Sequence, residues 1–95
     1  MRETSEFDKK KVLESFSKKI PYIRRELHLS QTELGEKLGM SRQSVSSIER
    51  GVVQLTWDTF LALLVIIMVN DEDLFNKLTA DKKFEGVIEE LKRRE

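Results

Sequence analysis

Arg42, Gln43, Ser44, Ser46 and Ser47 crowd one short stretch of the chain. They bring a guanidinium, a carboxamide and three hydroxyls to consecutive or near-consecutive positions. A solvated helix face usually carries Glu and Lys instead. Arg can bond O6 and N7 of guanine together, and Gln can bond N6 and N7 of adenine. Serine is short enough to let a helix backbone approach closely. The chemistry available here is hydrogen bonding to base-pair edges in a DNA major groove.

Such groups need a rigid mount, and Leu29–Gly51 supplies the pattern of one. Ser30, followed three residues on by Glu33, forms a capping box that starts a helix. That helix buries Leu34 and Leu38 and stops at Gly39, which tolerates a left-handed backbone. Ser41 caps the next helix, which buries Val45 and Ile48 and ends at Gly51. Two helices joined by a short turn containing Gly make a helix-turn-helix.

The surrounding chain reads as all-helical, since no Val/Ile/Thr alternation persists and only one proline and four glycines occur. Asp8 can cap a first helix with the stripe Val12, Leu13, Phe16, Ile20, Ile23 and Leu27. Pro21 falls inside that stripe, so either a kink or a new helix starting at Pro21 is expected. Thr56 caps a fourth helix from Trp57 to about Met68. Asn70 or Asp71 starts a short fifth around Leu74, Phe75 and Leu78. A last helix, about 81–94, aligns Phe84, Val87, Ile88 and Leu91.

The segment IPYIRRELHLSQTELGEKLGMSRQSVSSIERG closely resembles the phage repressor and Cro (XRE) family of DNA-binding domains. The matching marks include Ile20, Arg24, Leu29-Ser30-Gln31, Leu38-Gly39-Met40-Ser41, Val45-Ser46 and Glu49-Arg50-Gly51. The resemblance covers about Phe16–Phe75. It implies a five-helix, lambda-repressor-like domain whose third helix enters the major groove, here with an extra C-terminal amphipathic helix over 76–95. Carried over position by position, it makes Arg42, Gln43, Ser44 and Ser47 the base readers. Gln31 would clamp a backbone phosphate and brace Gln43. Ser41, Arg50, Thr56 and Trp57 would lie beside phosphates. Arg24 and Glu49 would form a structural ion pair. The chain departs from the family pattern in having Gly35 for alanine, His28 for glycine, Leu55 for proline, and Pro21 within the first helix.

Composition narrows the class. Ninety-five residues make one domain. With no Cys and one histidine, His28, no thiolate or His-cluster metal site and little imidazole catalysis are expected; acids such as Asp58 and Asp71 sit at helix starts, where capping explains them, so neither an enzyme nor a cofactor is expected. Net charge is zero, but seven basic residues stand against four acids in Phe16–Arg50, and eight acids against six bases in Asp71–Glu95. The middle faces phosphate better than the tail does. Met1–Lys11 is charged and has no apolar signal-peptide core. The ten-residue apolar run Phe60–Val69 is too short to span a bilayer. A cytoplasmic location without membrane contact is expected.

Helix four needs one apolar face, Phe60, Leu63, Leu64 and Ile67, yet Leu61, Ala62, Val65, Ile66 and Met68 are apolar too. A helix apolar all round must be covered on both sides. Either the last helix folds back over it or both surfaces build a two-fold dimer. The dimer is the preferred reading, with Leu61, Val65, Met68, Phe84, Ile88 and Leu91 at its interface. The function expected is a homodimeric, sequence-specific repressor that occludes a palindromic operator in double-stranded DNA. The alternatives are an antitoxin, with a protein partner on the C-terminal helix, and a protein-interaction module on the same fold.

Overall fold

The computed structural model describes residues 9–80. They form five helices in the order α1 (Lys9–Leu27), α2 (Gln31–Leu38), α3 (Arg42–Glu49), α4 (Trp57–Asn70) and α5 (Glu72–Thr79). Among the described residues the fold is all-helical, with no strand, as the five-helix reading expects. Among the described residues no helix is long and apolar enough to cross a membrane. Asp8, as a cap for α1, and the expected helix over 81–94 with Phe84, Ile88 and Leu91 lie outside the described residues.

Each of the four later helices begins on a side chain that satisfies an otherwise orphaned backbone N–H. The hydroxyl oxygens of Ser30, Ser41 and Thr56 accept from the N–H of Glu33, Ser44 and Thr59 at 3.0, 3.1 and 3.2 Å. Asp71 Oδ1 accepts from Leu74 N–H at 3.0 Å, so Asp71 rather than Asn70 starts α5. A cap of this kind contributes about 1 kcal/mol. At α2 the box is reciprocal, since Ser30 N–H donates to Glu33 Oε1 at 2.9 Å.

The first three helices end by one device. His28, Gly39 and Gly51 take φ values of +60°, +74° and +77°. The next residue's N–H then reaches back five positions: Leu29 to Arg24 O at 2.8 Å, Met40 to Gly35 O at 2.8 Å and Val52 to Ser47 O at 2.9 Å. This is the Schellman closure, which turns the chain while pairing the last carbonyls. His28 thus occupies a left-handed position that glycine fills without steric cost.

Pro21 does not start a new helix. α1 runs unbroken through it, with Ile20 and Ile23 both buried. The two isoleucines contribute about 1.5–3 kcal/mol each on burial. Together they offset the roughly 3 kcal/mol that an interior proline costs.

The core gathers Val12, Leu13, Phe16, Ile20 and Ile23 of α1 with Leu34, Val45 and Ile48 of the helix-turn-helix and Phe60, Leu63, Leu64 and Ile67 of α4. Phe16 and Phe60 meet edge-to-face with centroids 4.9 Å apart. Leu74 and Leu78 close α5 onto this core, and α5 packs on α4. Leu55, in the loop before α4, is only 1% exposed and is a full core member. A leucine there anchors the loop by apolar burial where a proline would fix it by restricting φ.

Gly35 answers to close packing. A Cβ added there would stand 2.5 Å from the carbonyl oxygen of Met40. The turn therefore lies directly on α2, closer than any side chain permits. This approach draws α2 and α3 together and positions the first turn of α3.

Candidate nucleic-acid interface

α3 is an eight-residue helix held down by Val45 and Ile48, both buried against the core. Their spacing commits the opposite face to solvent. Arg42, Gln43 and Ser44 are exposed and Ser47 is half-buried. Among the described residues, none hydrogen-bonds the side chains of Arg42 or Gln43. Ser41 Oγ both accepts from Ser44 N–H and donates to Ser44 Oγ, each at 3.1 Å. The Ser44 hydroxyl is thereby left with its own proton to donate outward. No acidic residue occupies the first turn of α3. The positive partial charge of that helix end stays uncompensated, and Arg42 adds a full one.

The orientation of α3 is fixed at its other end. Arg24 Nε donates to Glu49 Oε2 at 2.7 Å, and Arg24 Nη2 donates to Oε1 at 3.3 Å. Arg24 Nη1 also reaches the carbonyl of Leu29 at 3.3 Å. Gln31 Nε2 donates to the same Glu49 Oε1 at 3.0 Å. One carboxylate thus ties α1, the start of α2 and the end of α3 together. Gln31 is held by Glu49 and not by Gln43, the partner that the resemblance implies. The reason is electrostatic: the Glu49 carboxylate is a stronger acceptor than a neutral carboxamide. Nothing in the spacing of Gln31 and Glu49 advertises this contact.

The flanking positions sit at helix starts and ends. Ser41 caps α3, and Thr56 caps α4. Thr56 also donates its hydroxyl to Thr59 Oγ1 at 2.9 Å. Arg50 is exposed, with Nε 3.4 Å from Ser46 Oγ, a contact too long to hold it firmly. Trp57 is half-buried, tilted against Phe60 at 5.3 Å, with Lys9 Nζ 4.7 Å from the centre of its ring. The indole packs at the edge of the core, and the first N–H groups of α4 lie at the same end.

Between α3 and the loop that follows runs a shallow groove of about 430 Å³. Gln43, Ser44 and Ser47 line one side, and Val53, Gln54 and Thr56 the other. Among the described residues no acidic side chain lines it. A second depression is lined by Lys18 and Arg50 together with Glu14 and Glu49. Its charges are balanced, and it lacks the one-sided polarity of the first.

Of the proposed dimer positions on α4, Val65 and Met68 are 54% and 46% exposed and Leu61 is half-buried. Val69, which the sequence pattern did not single out, is more exposed still, at 74%.

A family model described as Helix-turn-helix matches residues 22–66. No curated protein matches the chain, and no solved structure matches it. The match begins within α1 and ends within α4, so it takes in the Arg24–Glu49 pair, the tight turn at Gly39 and all of α3. Residues 22–66, just under half of the chain, therefore match a Cro/C1-type helix-turn-helix, a DNA-binding element of transcription regulators.

Proposed function

We propose that this regulator is a repressor that binds a palindromic operator as a homodimer, in the cytoplasm, and acts by occluding polymerase. The observation that carries the reading is the exposed, polar, acid-free first turn of α3, with Arg42 and Gln43 held by no described neighbour. Arg42, Gln43, Ser44 and Ser47 are its base contacts; Gln31, Ser41, Arg50, Thr56 and Trp57 flank phosphates. The exposed valines and methionine of α4 support self-association. A two-fold dimer spaces two recognition helices about 34 Å apart, one helical turn of DNA. The same apolar face suits an antitoxin's protein partner, which would co-purify from the native host.

Selection from random duplexes at moderate salt tests the reading. A preferred, two-fold symmetric sequence is expected. On that sequence Arg42→Ala should relax one base position, at a cost of about 1–3 kcal/mol. Arg50→Ala should weaken all sequences alike and flatten the salt slope by about one. Light scattering should find Val65→Glu/Met68→Glu monomeric with its helical content intact. Recovery of no preferred sequence would end the sequence-specific reading.

A further inference from the structure

The groove beside α3 has a second wall, built by the loop between α3 and α4. Val53 is 50% exposed, an apolar side chain standing among uncharged polar groups, and Gln54 beside it is exposed as well. They face the same space as Gln43, Ser44 and Ser47. Their placement is not loose. The N–H groups of Val52 and Val53 both donate to Ser47 O, at 2.9 and 3.2 Å, and the buried Leu55 anchors the loop two residues after Val53. The loop backbone is thereby tied to α3 itself.

We infer that Val53 and Gln54 form a second reading element, specific for an A·T pair next to those read by α3, with the thymine methyl against Val53. The inference rests on the proposed binding of DNA through α3. The chemistry selects the base pair. A thymine presents a C5-methyl in the major groove, and its adenine presents an acceptor and a donor that one carboxamide can engage together. An apolar isopropyl beside a carboxamide, in a groove with no acid among its described lining, matches that pair. A guanine-reading site would need a cation, and a cytosine-reading site an acceptor such as Glu or Asp. A methyl contact also rewards an exposed valine, which gains nothing from bulk water.

The test is a protein–DNA double-mutant cycle on the duplex that selection recovers. Each thymine in turn is replaced by deoxyuridine, which removes only the methyl. Wild-type protein should lose about fourfold in affinity at one position flanking the α3 contacts, the loss that one buried methyl implies. Val53→Ala should bind more weakly and show no further penalty at that position, while the penalties at other thymines persist. Gln54→Ala should relax the same pair in a repeated selection. Val53→Thr, close in shape, controls for a folding defect and should retain the thymine preference only in part. Equal deoxyuridine penalties in wild type and Val53→Ala at every thymine overturn the inference and leave the reading by α3 standing. Failure of the wild type to select any sequence overturns both.

Discussion

Arg24 and Glu49, from helices α1 and α3, meet through two hydrogen bonds, the shorter of 2.7 Å, with the Glu49 side chain only 7% exposed. The pair is asymmetric. Removing Arg24 leaves a nearly buried carboxylate with Gln31 alone; removing Glu49 leaves a guanidinium that can still turn to water. Breaking a buried pair costs more than replacing it whole. Arg24→Ala should therefore destabilise by about 2–4 kcal/mol, and Glu49→Ala by less. The double variant Arg24→Met/Glu49→Leu should recover most of the loss. Urea unfolding of the three variants measures this. A double variant as unstable as the sum of the singles would show that the charges themselves hold α3.

The three left-handed helix ends predict opposite signs for similar substitutions. His28→Gly should stabilise by about 0.5–1 kcal/mol, because the left-handed strain it removes exceeds the entropy it adds to the unfolded chain. Gly39→Ala and Gly51→Ala should each destabilise by about 1 kcal/mol. Among the described residues no atom lies within 4 Å of a Cβ at either glycine, so the loss would be conformational and not a clash. Thermal melts of the three variants decide it.

Gly35 is the reverse case, ruled by space. Gly35→Val would drive its side chain into the Met40 carbonyl and reach toward Ser41, whose carbonyl lies 3.4 Å from the first added carbon. Overpacking of this kind costs about 1–3 kcal/mol. The turn must retreat, and the cap of α3 moves with it. Both stability and affinity for DNA should fall, and amide exchange should quicken in the first turn of α3 before the rest of the helix.

Glu33 gives a pH signature. The backbone N–H of Ser30 first, and its hydroxyl second, hold the Glu33 carboxyl below its ordinary value. The folded state then binds fewer protons than the unfolded one at mildly acid pH. The contribution is full above the unfolded-state pKa of about 4.3 and disappears as pH falls through the lower folded value. Glu33→Gln keeps the hydrogen-bonded box but cannot titrate. Melting temperature should thus decline more steeply below about pH 4 in the wild type than in the variant. Parallel curves would mean that the charge on Glu33 contributes nothing beyond the hydrogen bonds that glutamine keeps.

Local signals were the readable ones. Ser30, Ser41 and Thr56 announced their helices because a cap and its recipient N–H lie three residues apart, and Gly39 and Gly51 announced two of the ends. The core faces of α3 and α4 followed from spacing alone. What the chain concealed is non-local. Leu55 looks like a loop residue until the helices around it close. The Gln31–Glu49 contact joins positions 18 apart in sequence and leaves no periodicity. Pro21 argues locally for a break, and only the burial of Ile20 and Ile23, before and after it on the core face, outweighs it. At the interface, Arg42 and Gln43 stood out by type, whereas Val53 did not, because an apolar residue in a loop carries no message until the groove it lines is known.

α2 and α3 have eight residues each. Helices shorter than about 12–15 residues are marginal in water on their own. The surface proposed to meet the bases consequently has no existence apart from the hydrophobic interior behind it. Truncating Val45 or Leu34, neither of which can touch a nucleotide, would register in a binding assay as lost recognition. The linkage also runs the other way: a duplex that fits must raise the melting temperature by mass action. A label-free thermal screen can thus pick the operator out of a pool of unrelated oligonucleotides.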